Sequence, residues 1–331
     1  MVLTSSMQPI RSTFLFDREK KLIALLGELG TPVSRTDFQK LLFLFCSNIH
    51  RANTIQSVTS TYEFIPYKFG AFSFTSYHDR TRLEAKGVLD PTIEDWALTK
   101  YGVDLANQSR TDDVQYFVKQ YNNIRGDHLI AETYRHSPFT AIKSQIIDRV
   151  LKNDPRTKRR IQATIPKIQH HSLFTIGYQQ RTLENYINLL LQNCVNTLCD
   201  VRKNPVSRRY GFSKKTLSNA CANVGITYTH LPQLGIESEH RKNLQDSISY
   251  ASLFTRYRTM TLPKVEQTVD RISADVRSGI RLALTCFERE ARECHRSVLA
   301  DTIMSPNVVV GSIPTCSTGY SVGESMRVRH L

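Results

Sequence analysis

Four short apolar runs, each followed by a helical pattern, limit what the second half of this chain can become. The runs are SLFTIGY (172–178), VNTLCDVR (195–202), ITYTHLP (226–232) and IRLALTCFE (280–288). Between and after them lie RTLENYINLLLQNC, SKKTLSNACANVG, SISYASLFTRYRTM, LPKVEQTVDRISADVRSG and CHRSVLADTI. Strand-length apolar runs that alternate with helices predict a mostly parallel sheet flanked by helices, because a parallel connection needs a crossover of helical length. Ser213 is placed to cap the second of those helices and Gly225 to end it.

The first half reads differently. DREKKLIALLGELG (17–30) is an amphipathic helix ending at Gly30. A second helix follows, capped by Ser34 or Thr36, with Phe38, Leu41, Leu42 and Phe45 on one face. The segment 62–89, YEFIPYKFGAFSFTSYHDRTRLEAKGVL, is strand-like up to Gly70 and helical thereafter. A short hairpin is expected over about 88–99. This order predicts a mainly helical, winged-helix-like domain. Residues 121–165 read as polar and helical, with Asp154-Pro155 as a breaker and RTKRR as an exposed linker. The expected domains are 1–165 and 166–304, with 305–331 a Ser/Gly-rich tail that is loosely ordered or packs as an extension.

At 331 residues and 40% hydrophobic content the chain is long enough for two cores. No apolar run approaches the ~18 residues of a membrane span, so no membrane partner is expected. The N-terminus lacks the apolar stretch of a secretory signal. Seven scattered cysteines fit free thiols in a cytoplasm better than a disulfide framework.

Net charge is +14. Two stretches concentrate it: LKNDPRTKRR (151–160), and VRKNPVSRRYGFSKK (201–215), which has no acidic residue. A nucleic acid or a nucleotide is the natural partner of such a surface. In the second stretch Arg202, Arg208, Arg209, Lys214 and Lys215 surround Gly211-Phe212-Ser213, an arrangement suited to phosphate; Phe212 and Tyr210 are candidates to stack on bases. Packing of Phe212 in the core remains the alternative.

In an open α/β sheet, ligands bind beyond the carboxyl ends of the strands. Tyr178, Asp200, His230, Cys286 and Glu288 fall at those ends, and Cys294-His295-Arg296 opens the last helix. Asp200, Glu288 and His295 are acid/base candidates, and Tyr178 and Arg296 join the candidates for binding phosphate or nucleic acid. Three roles fit Cys286 and Cys294: a nucleophile activated at a helix N-terminus beside Arg296, metal ligation with His295, or buried packing. Seven residues between the cysteines is not a standard zinc spacing, so no metal is expected; the sequence leaves open whether a cofactor takes part.

Two resemblances sharpen this reading. QKLLFL, PYKFGAFS, GVL and LTKYG within about 15–120 resemble the Panacea antitoxin domain, a small helical domain found beside toxins. The blocks TIGY, LCDVRKNPVSRRYGFSK, ITYTHLPQLG, LALTCFERE and ECHRSVLAD within about 170–302 resemble the family called domain of unknown function 488, with Tyr178 and Ile236 departing from its pattern. The first resemblance implies a toxin–antitoxin or phage-defence setting and a possible toxin or other protein partner. The second implies no activity. Two functions follow as expectations: a protein acting on nucleic acid or nucleotides, or a non-enzymatic antitoxin or regulator that binds a protein and senses a phosphorylated ligand.

Overall fold

The computed structural model describes residues 14–30, 32–52, 61–168, 172–237, 247–304 and 328–331. The chain divides into two compact units near residue 161, with the short segment Ile65–Tyr67 grouped with the second.

The first unit is mainly helical. α1 (Asp17–Leu29) and α2 (Arg35–Ala52) come first. Ser34 begins α2: its hydroxyl accepts from the Asp37 amide at 3.1 Å and donates to the Asp37 carboxylate at 2.9 Å. Two strands, β1 (Ile65–Tyr67) and β2 (Gly70–Phe72), form a two-stranded sheet. They precede α3 (Phe74–Ala85), which Ser73 caps through the Ser76 amide at 3.3 Å. Between α3 and α4 (Lys100–Gln108) the chain doubles back, with antiparallel bridges joining Leu89 to Leu98 and Val33 to Trp96. α5 (Asp112–Tyr121), α6 (Gly126–His136), the short α7 (Ile147–Val150) and α8 (Pro155–Thr164) complete the unit's helices. The expected inward faces are buried: Leu22, Leu25 and Leu26 of α1 meet Phe38, Leu41, Leu42 and Phe45 of α2 in one core with Trp96.

The expected linker is a helix. RTKRR lies inside α8, because Asp154 accepts from the Thr157 amide at 3.0 Å and Pro155 takes the first helical position, where its missing N–H costs nothing.

Lys40 is the unusual core residue here. It is 2% exposed, and its Nζ donates to the Ala71 carbonyl at 2.8 Å. Burial pushes its pKa down to about 7, with Asp37 opposing only in part. Above pH 7, and up to the ordinary lysine value of ~10.4, the unfolded chain therefore binds a proton that the folded chain lacks. Stability rises with pH through that window, by up to ~1.4 kcal/mol per unit. Urea unfolding of the native chain should strengthen from pH 7 to pH 9 relative to Lys40→Met. A difference between the two that is flat with pH would contradict this placement.

The second unit is an α/β fold with a five-stranded, all-parallel sheet. Its strands are β3 (Leu173–Gly177), β4 (Thr197–Asp200), β5 (Thr227–His230), β6 (Leu282–Cys286) and β7 (Val328–His330). Their order is β5-β4-β6-β3-β7, and every pairing is parallel. The helices are α9 (Leu183–Gln192), α10 (Lys214–Asn223), α11 (Ser247–Arg256), α12 (Glu266–Arg277) and α13 (His295–Met304). α12 and α13 cover one face, packing Val269, Ile272, Val298 and Leu299 against Leu173, Leu282 and Leu284. α9 meets the other, where the Tyr186 hydroxyl donates to Thr285 Oγ1 at 2.7 Å. β3 and β6 are buried along their whole length, which is why they read as continuous apolar runs.

The fifth strand is one that the sequence pattern did not locate. Residues 328–330 pack as an extension of the sheet: they pair with β3, and His330 Nδ1 lies 2.7 Å from Thr175 Oγ1. The rest of the expected tail, 305–327, lies outside the described residues. Among the described residues, no helix is long and apolar enough to cross a membrane.

Candidate functional site

A cleft of about 330 Å³ opens at the carboxyl ends of β3, β4 and β6. Tyr178, Arg202, Lys203, Arg208, Cys286 and Phe287 line it. The strands deliver these residues in register: Gly177 pairs with Cys286, and Asp200 with Thr285. A second groove of about 290 Å³ runs between α12 and strands β4 and β5. It lies along the strands rather than at their carboxyl ends, so the first cleft is the candidate.

A buried ion pair forms its floor. Asp200 is fully buried and Arg202 is 4% exposed. Asp200 Oδ1 accepts from the Arg202 amide (3.1 Å) and Nε (2.8 Å), while Oδ2 accepts from Arg202 Nη2 (2.5 Å) and the Tyr228 hydroxyl (2.6 Å). Arg202 Nη1 donates to the Tyr178 hydroxyl at 3.0 Å and the Phe212 carbonyl at 2.8 Å. Desolvation works against the Arg202 charge, but the hydrogen bond and charge of Asp200 outweigh it and hold the guanidinium above its ordinary range. Burial, and then the bond to Asp200, raises the Tyr228 phenol. The structure thus gives Arg202 and Asp200, expected at phosphate and in acid/base work, inward partners that tie together β4, β5 and the loop after β4.

The basic loop stands over this floor. Arg208, Arg209, Lys214 and Lys215 are exposed. Ser213 occupies the position before α10, but its hydroxyl bonds the Ser207 amide (3.2 Å) and carbonyl (3.1 Å) and so cinches the loop. Phe212 is fully buried, stacked on Tyr178 at 4.5 Å and edge-on to Tyr186 at 5.3 Å. It is a core residue; so is Tyr178, which is 4% exposed.

The exposed ring is one that the sequence did not single out. Phe287 is 45% exposed and meets Tyr178 edge-on at 5.4 Å. Val206, 80% exposed, and Lys203, ion-paired with Glu237 at 2.5 Å, also line the cleft. The available signal for Val206 was an apolar residue inside a cationic loop; Phe287 had none, because it follows a strand buried on both faces.

The remaining candidates form a separate cluster. Cys286 ends β6, Cys294 immediately precedes α13, and His295 opens it; all three are buried. One ligand atom of each lies within 4.8 Å of the others. Sequence spacing had argued against a metal here. The seven-residue loop nevertheless folds back on itself: the fully buried Arg296 donates to the carbonyls of Glu288 (2.6 Å) and Arg289 (2.9 Å). Arg296 is thereby committed to the loop, although it had been expected at phosphate. Burial, and then the neighbouring Cys286, pushes the Cys294 thiol well above its ordinary range, the reverse of the activated thiol that the helix start suggested. His230 takes no part, since its ring bonds the Arg202 carbonyl at 2.9 Å and approaches Lys214 Nζ at 3.3 Å. Glu288 is half-buried, and its backbone passes directly over Gly177.

Residues 182–303 match the family model described as Domain of unknown function DUF488. The matched span holds β4, β5, β6, the basic loop and the Cys/His cluster, and begins after β3 and Tyr178. No curated protein and no solved structure matches the chain.

Proposed function

We propose that the cleft at the strand carboxyl ends binds a phosphate-bearing nucleotide unit, either within a nucleic acid or as a free nucleotide. The observation that carries this reading is the pairing of one exposed aromatic ring with an exposed cation around one cleft: Phe287 and Arg208 both line it, with Arg209, Lys214 and Lys215 exposed on the same basic loop and helix start. A base stacks on any aromatic face, and guanidinium or ammonium groups take phosphate, so the set suits a nucleotide without reading its sequence. Asp200 and Arg202 hold the loop that presents these groups, and the hydrogen bonds of their side chains go to protein partners. The net charge of +14 favours a polyanion over a lone nucleotide.

The setting comes from the first unit. Its resemblance to the Panacea antitoxin domain, together with the doubled-back segment 88–99 that a winged-helix-like reading expects, supports a role in toxin–antitoxin or phage defence in the cytoplasm. The same resemblance supports a toxin as protein partner. A catalytic role for Glu288 and His295, as against binding alone, is decided by whether the strand is chemically changed.

End-labelled single- and double-stranded DNA and RNA, titrated with the protein at two salt concentrations, test this reading. Salt-sensitive binding is expected. Arg208→Ala should weaken it for every sequence and lower the salt slope by about 1. Phe287→Ala should remove about 1–3 kcal/mol for single strands. Absence of binding at the lower salt, for strands and for free nucleotides, would overturn the reading and leave the apolar Val206 and Phe287 to a protein partner.

A further inference from the structure

We infer that Cys286, Cys294 and His295 hold a thiophilic divalent metal, zinc by preference, with its fourth coordination position facing the cleft. Two soft sulfurs and an imidazole are a zinc-class donor set. Their ligand atoms lie within 4.8 Å of one another, and a small side-chain adjustment brings them to the ~3.8 Å or less that bonds of ~2.0–2.3 Å to one tetrahedral ion require.

The imidazole is oriented for this task. His295 Nε2 sits 3.3 Å from the Val201 carbonyl, which can only accept. Nε2 therefore carries the proton and the lone pair is on Nδ1, which faces Cys294 Sγ at 3.7 Å. A ligating histidine held through its other nitrogen by a backbone carbonyl is the usual outer support of a metal site. Tyr257 packs edge-on against the same ring at 5.2 Å, and its hydroxyl donates to the Leu234 carbonyl at 2.8 Å, so the ring cannot turn freely.

The loop is held as well. Arg296 grips the Glu288 and Arg289 carbonyls, and the Cys294 amide donates to the Ala291 carbonyl at 3.0 Å. These bonds set the distance between the sulfurs, which the seven-residue spacing does not disclose. Among the described residues no fourth histidine, cysteine, aspartate or glutamate joins the group. Cys286 is at the same time part of the cleft lining. Three protein ligands beside a cleft are the arrangement of an open metal site, whose last position takes water or a ligand atom, rather than of a closed structural one. The inference stands whether or not the cleft takes nucleic acid.

The test uses the full chain, expressed in zinc-supplemented medium, purified under reducing conditions and without a metal-affinity tag. Elemental analysis should find about one zinc per chain. After exchange for cobalt, the spectrum should show thiolate-to-metal charge transfer and the intense visible bands of a tetrahedral ion, and added azide should shift those bands. Loss of an outer support commonly weakens a metal site 10–100-fold, so losing a ligand should weaken it by at least about tenfold. Cys286→Ser and His295→Gln should show that loss with an unchanged circular-dichroism spectrum, while Cys194→Ser should not. Should Cys286→Ser fail to fold, the charge-transfer intensity of the native chain still reports ligation by two thiolates. No metal in folded, reduced protein, or metal retained undiminished in both ligand variants, would overturn the inference. Bands indifferent to azide would overturn the open position.

Discussion

Asp200→Ala will cost the α/β unit about 3–5 kcal/mol of stability, the size expected when one partner of a buried ion pair is removed. The carboxylate is fully buried and accepts four hydrogen bonds, three from Arg202 and one from Tyr228. Its removal leaves a guanidinium inside the protein with no counter-charge, and leaves the Tyr228 hydroxyl without its acceptor. A loss of that size is a large part of the ~5–15 kcal/mol that keeps a typical domain folded. Replacing both partners, as in Asp200→Ala with Arg202→Met, removes the stranded charge together with its partner. The double variant should be more stable than Asp200→Ala alone, a non-additivity that a double-mutant cycle in urea measures. A single-variant loss within the ~0.5 kcal/mol typical of surface changes would show that the pair does not support the fold. The result also bears on function: loss of activity in Asp200→Ala reports on folding before it reports on chemistry, so this variant cannot identify a catalytic acid.

Gly177→Ala is the second large effect. A Cβ at Gly177 would sit 1.7 Å from the Glu288 carbonyl oxygen, 2.5 Å from its carbon and 2.9 Å from Arg289 Cα. All three are backbone atoms, and the Glu288 carbonyl is also the one that Arg296 holds. The methyl group can be accommodated only if residues 286–289 move away from β3. Overpacking of a tight interior costs typically 1–3 kcal/mol, and the fixed backbone places this case at about 3 kcal/mol or more. The same displacement carries Cys286 away from Cys294 and His295. The measurement is the urea midpoint of the variant together with its metal content after purification. A native midpoint with an intact site would contradict the close approach of the two segments.

Different parts of this architecture were legible to different degrees. The α/β reading rested on alternating apolar runs and amphipathic helices, and the sheet is parallel as that alternation required. β7 escaped because Val328–His330 is a three-residue edge strand with two exposed positions, and it has no period to detect. RTKRR looked like a linker by charge alone, and the capping role of Asp154 was the neglected local signal. At the site, Asp200 and Arg202 are two apart at the end of a strand, which places both side chains on one side and made their pairing foreseeable. Phe212 looked exposed because it sits in a cationic loop; its burial depends on Tyr178 and Tyr186, which come from other elements. Phe287 was hidden for the opposite reason, as alternation says nothing beyond a strand buried on both faces. The Cys/His cluster was the least legible, because a loop length does not specify how far apart its ends lie.

The central claim is that the cleft of the α/β unit, and not the basic surface at large, receives the nucleotide. Ultraviolet crosslinking of end-labelled single-stranded DNA and RNA, followed by mass-spectrometric mapping of the modified peptides, tests it directly. The account predicts crosslinks on the peptide containing Phe287 and on the loop 203–209, both lost in competition with unlabelled strand. Crosslinks confined to residues 151–160, or to the first unit, would contradict it.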